Sequence, residues 1–356
     1  MDILNQKEQM VNHYKCNNCG NILTFNPTTQ KLYCKNCKCH TNIANSPVPP
    51  KHRILTKDEH SQDYYTWINS HKVCRCDNCG SSIILNSLDI STTCPYCNTA
   101  FALDKSSLPD IVPDAIIPFS FNSTDASLKL QNFAKSKFFV NGKFKKCLPD
   151  NKITGTYIPS FLFDTDSQTQ YSGELYRTET RHTRNGTTTT LVPFPVAGNI
   201  QVNHRNILIE SSTVLNQVNM NSILPFDYSK AYAFKDDYIL GYNVEYYNES
   251  LAQTDKTAQI IYENQIKQAI LKKYTQATSI KHLNLQKSYF NQTYSLYLVP
   301  VYRFEYKFKK KSYVTYMNGQ TGKVDNNLPK SIPKITCSIL LALLLILLPI
   351  IFAFID

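Results

Sequence analysis

The chain has 356 residues, of which 42% are apolar and 18% charged, with 23 Tyr, 18 Phe and 10 Gly. This composition excludes an intrinsically disordered or collagen-like chain, and the length corresponds to about two or three globular domains. The formal net charge is +11, and most of the excess lies in residues 111–356. Because the N-terminal residues form no apolar signal peptide, we expect the 12 cysteines to be reduced thiols in the cytosol.

Eight of the cysteines form an internal repeat. Gaps of 2, 14 and 2 residues separate Cys16, Cys19, Cys34 and Cys37, and the same gaps separate Cys76, Cys79, Cys94 and Cys97. Short strand-like segments and turn-forming residues lie between the pairs, which is typical of a small β-ribbon. We therefore predict a first ribbon over 14–40, a connector over 41–73 and a second ribbon over 74–103. In the connector we expect a flexible Pro-rich link and then a short helix, with Trp67 packed against the second ribbon.

The repeat predicts a metal site in each ribbon. A unit of this size buries too little apolar surface to offset its chain entropy, so it needs a cross-link. Four thiolates in closely spaced pairs satisfy the tetrahedral geometry of Zn²⁺, with bonds of about 2.3 Å. We predict two structural Zn²⁺ ions held by these eight cysteines, although iron in a rubredoxin-like site uses similar spacing. The remaining cysteines, Cys39, Cys74, Cys147 and Cys337, stay unassigned.

A β-rich α+β domain is predicted over 111–326. Its strand-like segments are 115–121, 155–163, 171–180, 294–308 and 313–317, its helical segments are 125–139 and 248–274, and a hairpin turn is predicted at 184–186. Lysines alternate with phenylalanines over 129–152. This pattern fits either an amphipathic helix and a following strand, which we favour, or a stacking surface for single-stranded nucleic acid. A third interpretation is that these lysines face anionic lipid.

The last segment, Ile335–Ile355, contains no charged residue. At about 1.5 Å per helical residue its length matches a bilayer, so we predict one C-terminal transmembrane helix, the alternative being a buried helix of a soluble core. The lysines before this segment predict that residues 1–334 are cytosolic. The expected protein is thus single-pass, tail-anchored and located in the plasma membrane, with two tandem four-cysteine zinc ribbons and an α+β domain.

No enzymatic motif is present in the sequence. The chain lacks the phosphate-binding GxxxxGK[ST], the zinc-protease HExxH and the nucleophile-elbow GxSxG patterns. The 8 histidines are scattered, and we expect them, including His182 and His204, in solvated positions. Four protein ligands on each metal also leave no position for water or substrate. We therefore predict no catalytic residues and no cofactor other than zinc.

Several segments together carry a family resemblance. They are the paired CxxC units, the YIPSFLFD strand, the PFDYS segment, the MNGQTGK turn and the terminal apolar run. The chain resembles the Firmicute TFIIB-type zinc-ribbon membrane proteins, which include the YdjG-like proteins and are often labelled primosomal protein N′-like. Knuckles of that family commonly read CPxCG. Three of the four knuckles here lack the proline, and the second knuckle of each ribbon lacks the glycine.

The resemblance implies a partner class as well as a ligand set. It implies a membrane-anchored protein that associates with proteins of the phage-shock or SPFH type in the envelope-stress response. We expect a non-enzymatic adaptor whose ribbons recruit cytosolic proteins to the plasma membrane. The alternative is a membrane-tethered nucleic-acid-binding protein. Bound zinc would leave the first 110 residues slightly acidic, which disfavours phosphate contacts by the ribbons.

Overall fold

The computed structural model describes most of the chain. The described residues are 11–12, 15–44, 52–56, 59–69, 72–75, 82–85, 88–94, 99–103, 108, 110–147, 152–183, 186–308 and 311–355. The helices are α1 Gln62–Asn69, α2 Ser123–Ser136, α3 Gly142–Cys147, α4 Gln217–Ile223, α5 Leu251–Lys273 and α6 Ile332–Ile355. The strands are β1 Val11–Asn12, β2 Leu23–Asn26, β3 Lys31–Cys34, β4 His40–Thr41, β5 Arg53–Ile54, β6 Lys72–Arg75, β7 Ser82–Leu85, β8 Asp89–Thr93, β9 Ala100–Leu103, β10 Ala115–Ile116, β11 Lys152–Thr183, β12 Gly186–Glu210, β13 Tyr232–Ala233, β14 Asn243–Glu245, β15 Ala277–Phe308 and β16 Lys311–Asn318.

One mixed sheet of 11 strands organises the described residues. Its order is β1-β9-β8-β14-β11-β15-β10-β13, with β12 paired to β11 and with β16 and β5 paired to β15. The ribbon strands β2, β3 and β4 form a separate three-stranded sheet, and β6 pairs with β7. Six α-helices accompany these sheets in the described part of the chain, which gives an α+β arrangement.

Three long strands extend from this sheet as an arm. Strand β11 runs antiparallel to both β12 and β15, and its pairing with β12 continues to Thr183 and Gly186. One face of the arm is apolar and packs on α5, where Ile266 and Ile270 are fully buried. Helix α5 begins at a capping box formed by Ser250 and Gln253, as its sequence favours. The predicted turn residues 184 and 185 lie outside the described residues.

Strands from the predicted connector and second ribbon join the same sheet as the α+β segment. Strand β8 pairs with β14, and β5 pairs with β15 through Arg53 and Tyr294. The predicted connector helix is α1, and its Trp67 packs edge-on against Tyr246, with ring centroids 5.1 Å apart. The N-terminal third of the chain therefore contributes to the main core and is not attached only through a linker.

Helix α6 corrects the membrane prediction. That prediction rested on the length of the segment 335–355 and on its uncharged, apolar sequence. Among the residues that the structure describes, no helix has the length and apolar character needed to cross a membrane. The predicted transmembrane helix and tail anchor, and with them the single-pass location in the plasma membrane, are therefore wrong.

The first ribbon is docked on the body of the protein. Leu240, in the turn before β14, is completely buried among the ribbon residues Cys16, Leu23, Leu32 and Cys34. The Leu240 carbonyl also accepts a 3.0 Å hydrogen bond from the Phe25 amide. Gln30 donates a 2.8 Å bond from Nε2 to the Phe119 carbonyl. The body thus completes the small core of the ribbon and fixes its orientation.

Replacing Leu240 with alanine tests this docking. We expect Leu240→Ala to lower the free energy of unfolding by about 2–5 kcal/mol, because it leaves a cavity in a core that has few other apolar side chains. Urea denaturation followed by tyrosine fluorescence measures the effect. Val218→Ala is the matched control, since Val218 is 77% exposed on α4; its expected change is within about 0.5 kcal/mol. Equal stability of the two variants would contradict the docking.

Candidate metal centre

Two backbone turns bring the cysteines of the first ribbon together. After Cys16 the chain turns so that the Gly20 amide donates to the Cys16 carbonyl at 2.8 Å, and after Cys34 the Lys38 amide donates to the Cys34 carbonyl at 3.0 Å. Gly20 has φ +72° and Lys38 has φ +62°. The left-handed position that favours glycine is thus occupied by lysine in the second turn. Both turns have the same hydrogen bond despite this difference in sequence.

The four predicted ligands of the first ribbon converge. The Sγ atoms of Cys16, Cys19, Cys34 and Cys37 all lie within 4.8 Å of one another. Cys16 Sγ is 3.5 Å from Cys37 Sγ, and Cys19 Sγ is 3.4 Å from Cys34 Sγ. A tetrahedron with metal–sulfur bonds of about 2.3 Å has edges of about 3.8 Å, so a metal ion requires only small movements of these sulfurs. The donor set and its spacing are suitable for a metal ion.

Backbone hydrogen bonds lower the pKa of two of these thiols, which favours their ionised form. A hydrogen bond from the Cys39 backbone lowers the pKa of Cys37 to about 5. A backbone bond from Asn21 lowers the pKa of Cys19. The backbone of Cys37 also lowers the pKa of Cys34, but burial and the neighbouring Cys19 thiol outweigh it and raise that pKa to about 11. Because metal ligation requires thiolates, metal binding at neutral pH would displace the proton from Cys34.

Cys39 lies beside the four-thiol group without belonging to it. Its Sγ accepts a 3.4 Å hydrogen bond from Asn18 Nδ2, a residue between Cys16 and Cys19. The Cys39 carbonyl also accepts from the Cys34 amide at 3.0 Å. Cys39 therefore connects the two turns that carry the ligands.

The structure describes little of the second predicted site. Of its four cysteines only Cys94 lies within the described residues, where it is fully buried and its amide donates to the Thr99 carbonyl at 2.8 Å. Cys76, Cys79 and Cys97 lie outside them. The second metal site stays a prediction. Among the unassigned cysteines, Cys74 is on β6, Cys147 ends α3 and Cys337 is exposed on α6.

A buried histidine is the main polar feature that the sequence analysis missed. His204 on β12 is completely buried, contrary to the expectation of a solvated position. Its Nε2 lies 2.9 Å from Ser167 Oγ, and its Nδ1 lies 2.5 Å from Gln265 Oε1 on α5. Burial lowers the pKa of His204. Alternation along β12 places His204 on the same face as Val196, which packs with residues of α5. This alternation is the feature of the sequence that could have indicated the burial of His204. His182 is exposed, as expected.

Comparison with known proteins finds a relative in Bacillus subtilis. The chain is 26% identical to the uncharacterised protein YdjG of Bacillus subtilis (strain 168) over 330 residues, which are 92% of each chain. This similarity supports the resemblance to YdjG-like proteins over nearly the whole length. No family model matches the chain, and no solved structure matches it.

Removing two ligands tests the metal centre. We expect Cys16→Ser combined with Cys19→Ser to lose one metal equivalent per chain and to make the first ribbon sensitive to protease, since a site with two thiols cannot support its fold. Plasma mass spectrometry of the purified protein measures the metal, and limited proteolysis measures the fold. Cys39→Ser is the matched control and should retain the metal. Full metal content in the double variant would refute this assignment.

Proposed function

We propose that the chain is a non-enzymatic zinc-ribbon adaptor that binds protein partners. The supporting observation is the group of four thiols in the first ribbon, whose Sγ atoms lie within 4.8 Å of one another. Zinc with four thiolate ligands is coordinatively saturated, so it has a structural role and does not activate water. We favour zinc over iron because the ribbon requires a cross-link and no redox chemistry. Because the cysteines of the second ribbon have the same spacing as those of the first, the second ribbon binds a second ion in this proposal.

Docking of the ribbon supports a role in recognition. Leu240, Phe25 and Gln30 fix the ribbon to the body, so its outer surface is held in one orientation. A surface that is ordered before binding loses less conformational entropy when a partner binds. In this proposal, metal binding maintains a preformed protein-binding surface.

The polar network around His204 does not favour an enzyme. Ser167 and His204 form a hydrogen-bonded pair of the kind that activates a nucleophile, but both residues are completely buried between the arm and α5. A nucleophile must contact its substrate, and this pair has no solvent-exposed surface. We therefore assign the pair to packing of α5 on the arm. The partner class implied by the resemblance, proteins of the phage-shock or SPFH type, is the first to test.

Quantitative affinity purification tests the adaptor function. Deleting residues 1–105 is unsuitable, because β5, β8 and β9 belong to the main sheet. The Cys16→Ser, Cys19→Ser double variant is more selective. We expect it to recover at least about ten-fold less of any SPFH-type partner than the wild type does, a loss of about 1.4 kcal/mol in binding. Cys337→Ser on α6 is the control and should recover the wild-type amount. Equal recovery by all three proteins would reject the ribbon as the binding surface.

A second candidate function, nucleic-acid binding, has one specific observation in its favour. The two phenylalanines that follow α2, Phe138 and Phe139, are 64% and 44% exposed, and their rings form an edge-on pair 5.2 Å apart. Lys334 Nζ lies 4.8 Å from the Phe138 ring. Phe144, by contrast, is buried as the amphipathic interpretation predicted. Exposed aromatic rings flanked by lysines suit base stacking and phosphate contact.

Titration with single-stranded oligothymidylate tests this candidate. If it is right, the protein binds the oligonucleotide, affinity falls steeply as salt rises, and Phe138→Ala with Phe139→Ala weakens binding by about ten-fold or more. Fluorescence anisotropy measures both effects. Leu128→Ala, at a 53% exposed position on α2, is the control and should bind as the wild type does. Absence of binding at low salt would eliminate the candidate.

A further inference from the structure

A cleft lies where the first ribbon meets the body of the protein. Its volume is about 430 Å³. One wall is formed by β2 and the loop after it, and the other by the residues before α2 and the turn before β14. Thr28 lines the ribbon side, and Thr93 and Asn122 line the body side. The cleft therefore exists only while the ribbon is docked.

The lining of the cleft suits an extended peptide. Thr28, Thr93 and Asn122 are exposed. The two threonine hydroxyls can donate and accept hydrogen bonds, and Asn122, whose Oδ1 caps α2 by accepting from the Asp125 amide, has its Nδ2 group as a donor. A peptide backbone carries one donor and one acceptor on nearly every residue. Ile153 and Tyr242 also line the cleft and are partly exposed, which provides apolar surface for a side chain. Hydroxyl and amide groups around an apolar floor thus match a backbone and one apolar side chain.

Lys35 gives the cleft its charge. Among the described residues that line the cleft it is the only charged one, and it forms no ion pair with another described residue. Its position is set by the metal centre, since it lies between Cys34 and Cys37 and its carbonyl accepts a 2.8 Å bond from Lys38 Nζ. An exposed ammonium without a carboxylate partner favours an anionic group on the ligand.

We propose that this cleft binds an acidic, extended peptide segment of a partner protein. A carboxylate of the segment pairs with Lys35, and a neighbouring apolar side chain contacts Ile153 and Tyr242. This inference rests on the proposed adaptor function and specifies its binding site. Because the metal holds the turn that contains Lys35, loss of the metal removes the charged end of the cleft.

Oriented peptide pools test the proposal on the full-length, zinc-loaded protein. Two sets of fluorescein-labelled heptapeptide pools are compared, one with Glu at the central position and one with Lys there. Fluorescence anisotropy measures how tightly each set binds. We expect about three- to five-fold tighter binding of the Glu pools, as one partly exposed ion pair provides. Lys35→Gln should abolish this preference. Lys31→Gln is the matched control, since Lys31 is exposed on the same ribbon but outside the cleft, and it should keep the preference.

A second variant tests whether binding requires the open cleft in addition to the charge of Lys35. Thr28→Trp fills the cleft mouth without altering a ligand cysteine, and we expect it to weaken binding of the Glu pools while zinc content stays unchanged. No preference for Glu in the wild type, or an equal preference in Lys35→Gln, would overturn the proposal. We also expect excess inorganic phosphate to displace neither pool; phosphate binding without peptide binding would make this a phosphate site instead. Recovery of partners by affinity purification would then still support the adaptor function.

Discussion

Convergence of four thiols is the constraint on which the first ribbon depends. The ribbon has a small apolar core, chiefly Leu23 and Leu32, and this core is complete only when Leu240 enters it from the body. A metal ion at the cysteines would hold the two turns together, while Leu240 packs beside them against the strand residues Leu23 and Leu32. In a unit of this size the free energy of metal binding contributes directly to the free energy of folding. We therefore expect the ribbon to need both the metal ion and the packing of Leu240.

Docking would extend the effect of a bound metal ion beyond the ribbon. Lys35 is part of a ligand-bearing turn, and β2 forms a wall of the cleft next to the body. A change at the metal therefore alters a surface that contains residues from both parts of the protein. In the proposed function, a metal ion with a structural role would act on recognition through this surface. Deleting the N-terminal third is a poor test of recognition for a separate reason: several of its strands belong to the main sheet.

The sequence predicted features that depend on local spacing and missed those that depend on distant partners. The gaps between Cys16 and Cys37 identified a ligand group that the structure brings together. The periodicity of α5 likewise placed a long helix correctly. Nothing local indicates that Leu240 enters the ribbon core or that β8 pairs with β14. The burial of His204 depends on α5, whose Gln265 is 61 residues away in sequence. The membrane prediction was wrong: it rested on the length and the uncharged, apolar sequence of 335–355, and no helix among the described residues has the length and apolar character to cross a membrane.

The central claim is that a metal ion with four sulfur ligands holds the two turns of the first ribbon together. X-ray absorption spectroscopy at the zinc edge tests it most directly, using a variant in which Cys76 and Cys79 are replaced by serine so that the first site dominates the signal. We predict a coordination shell of four sulfur atoms at about 2.3 Å. A shell containing oxygen or nitrogen ligands, or a protein that binds no zinc, would contradict it.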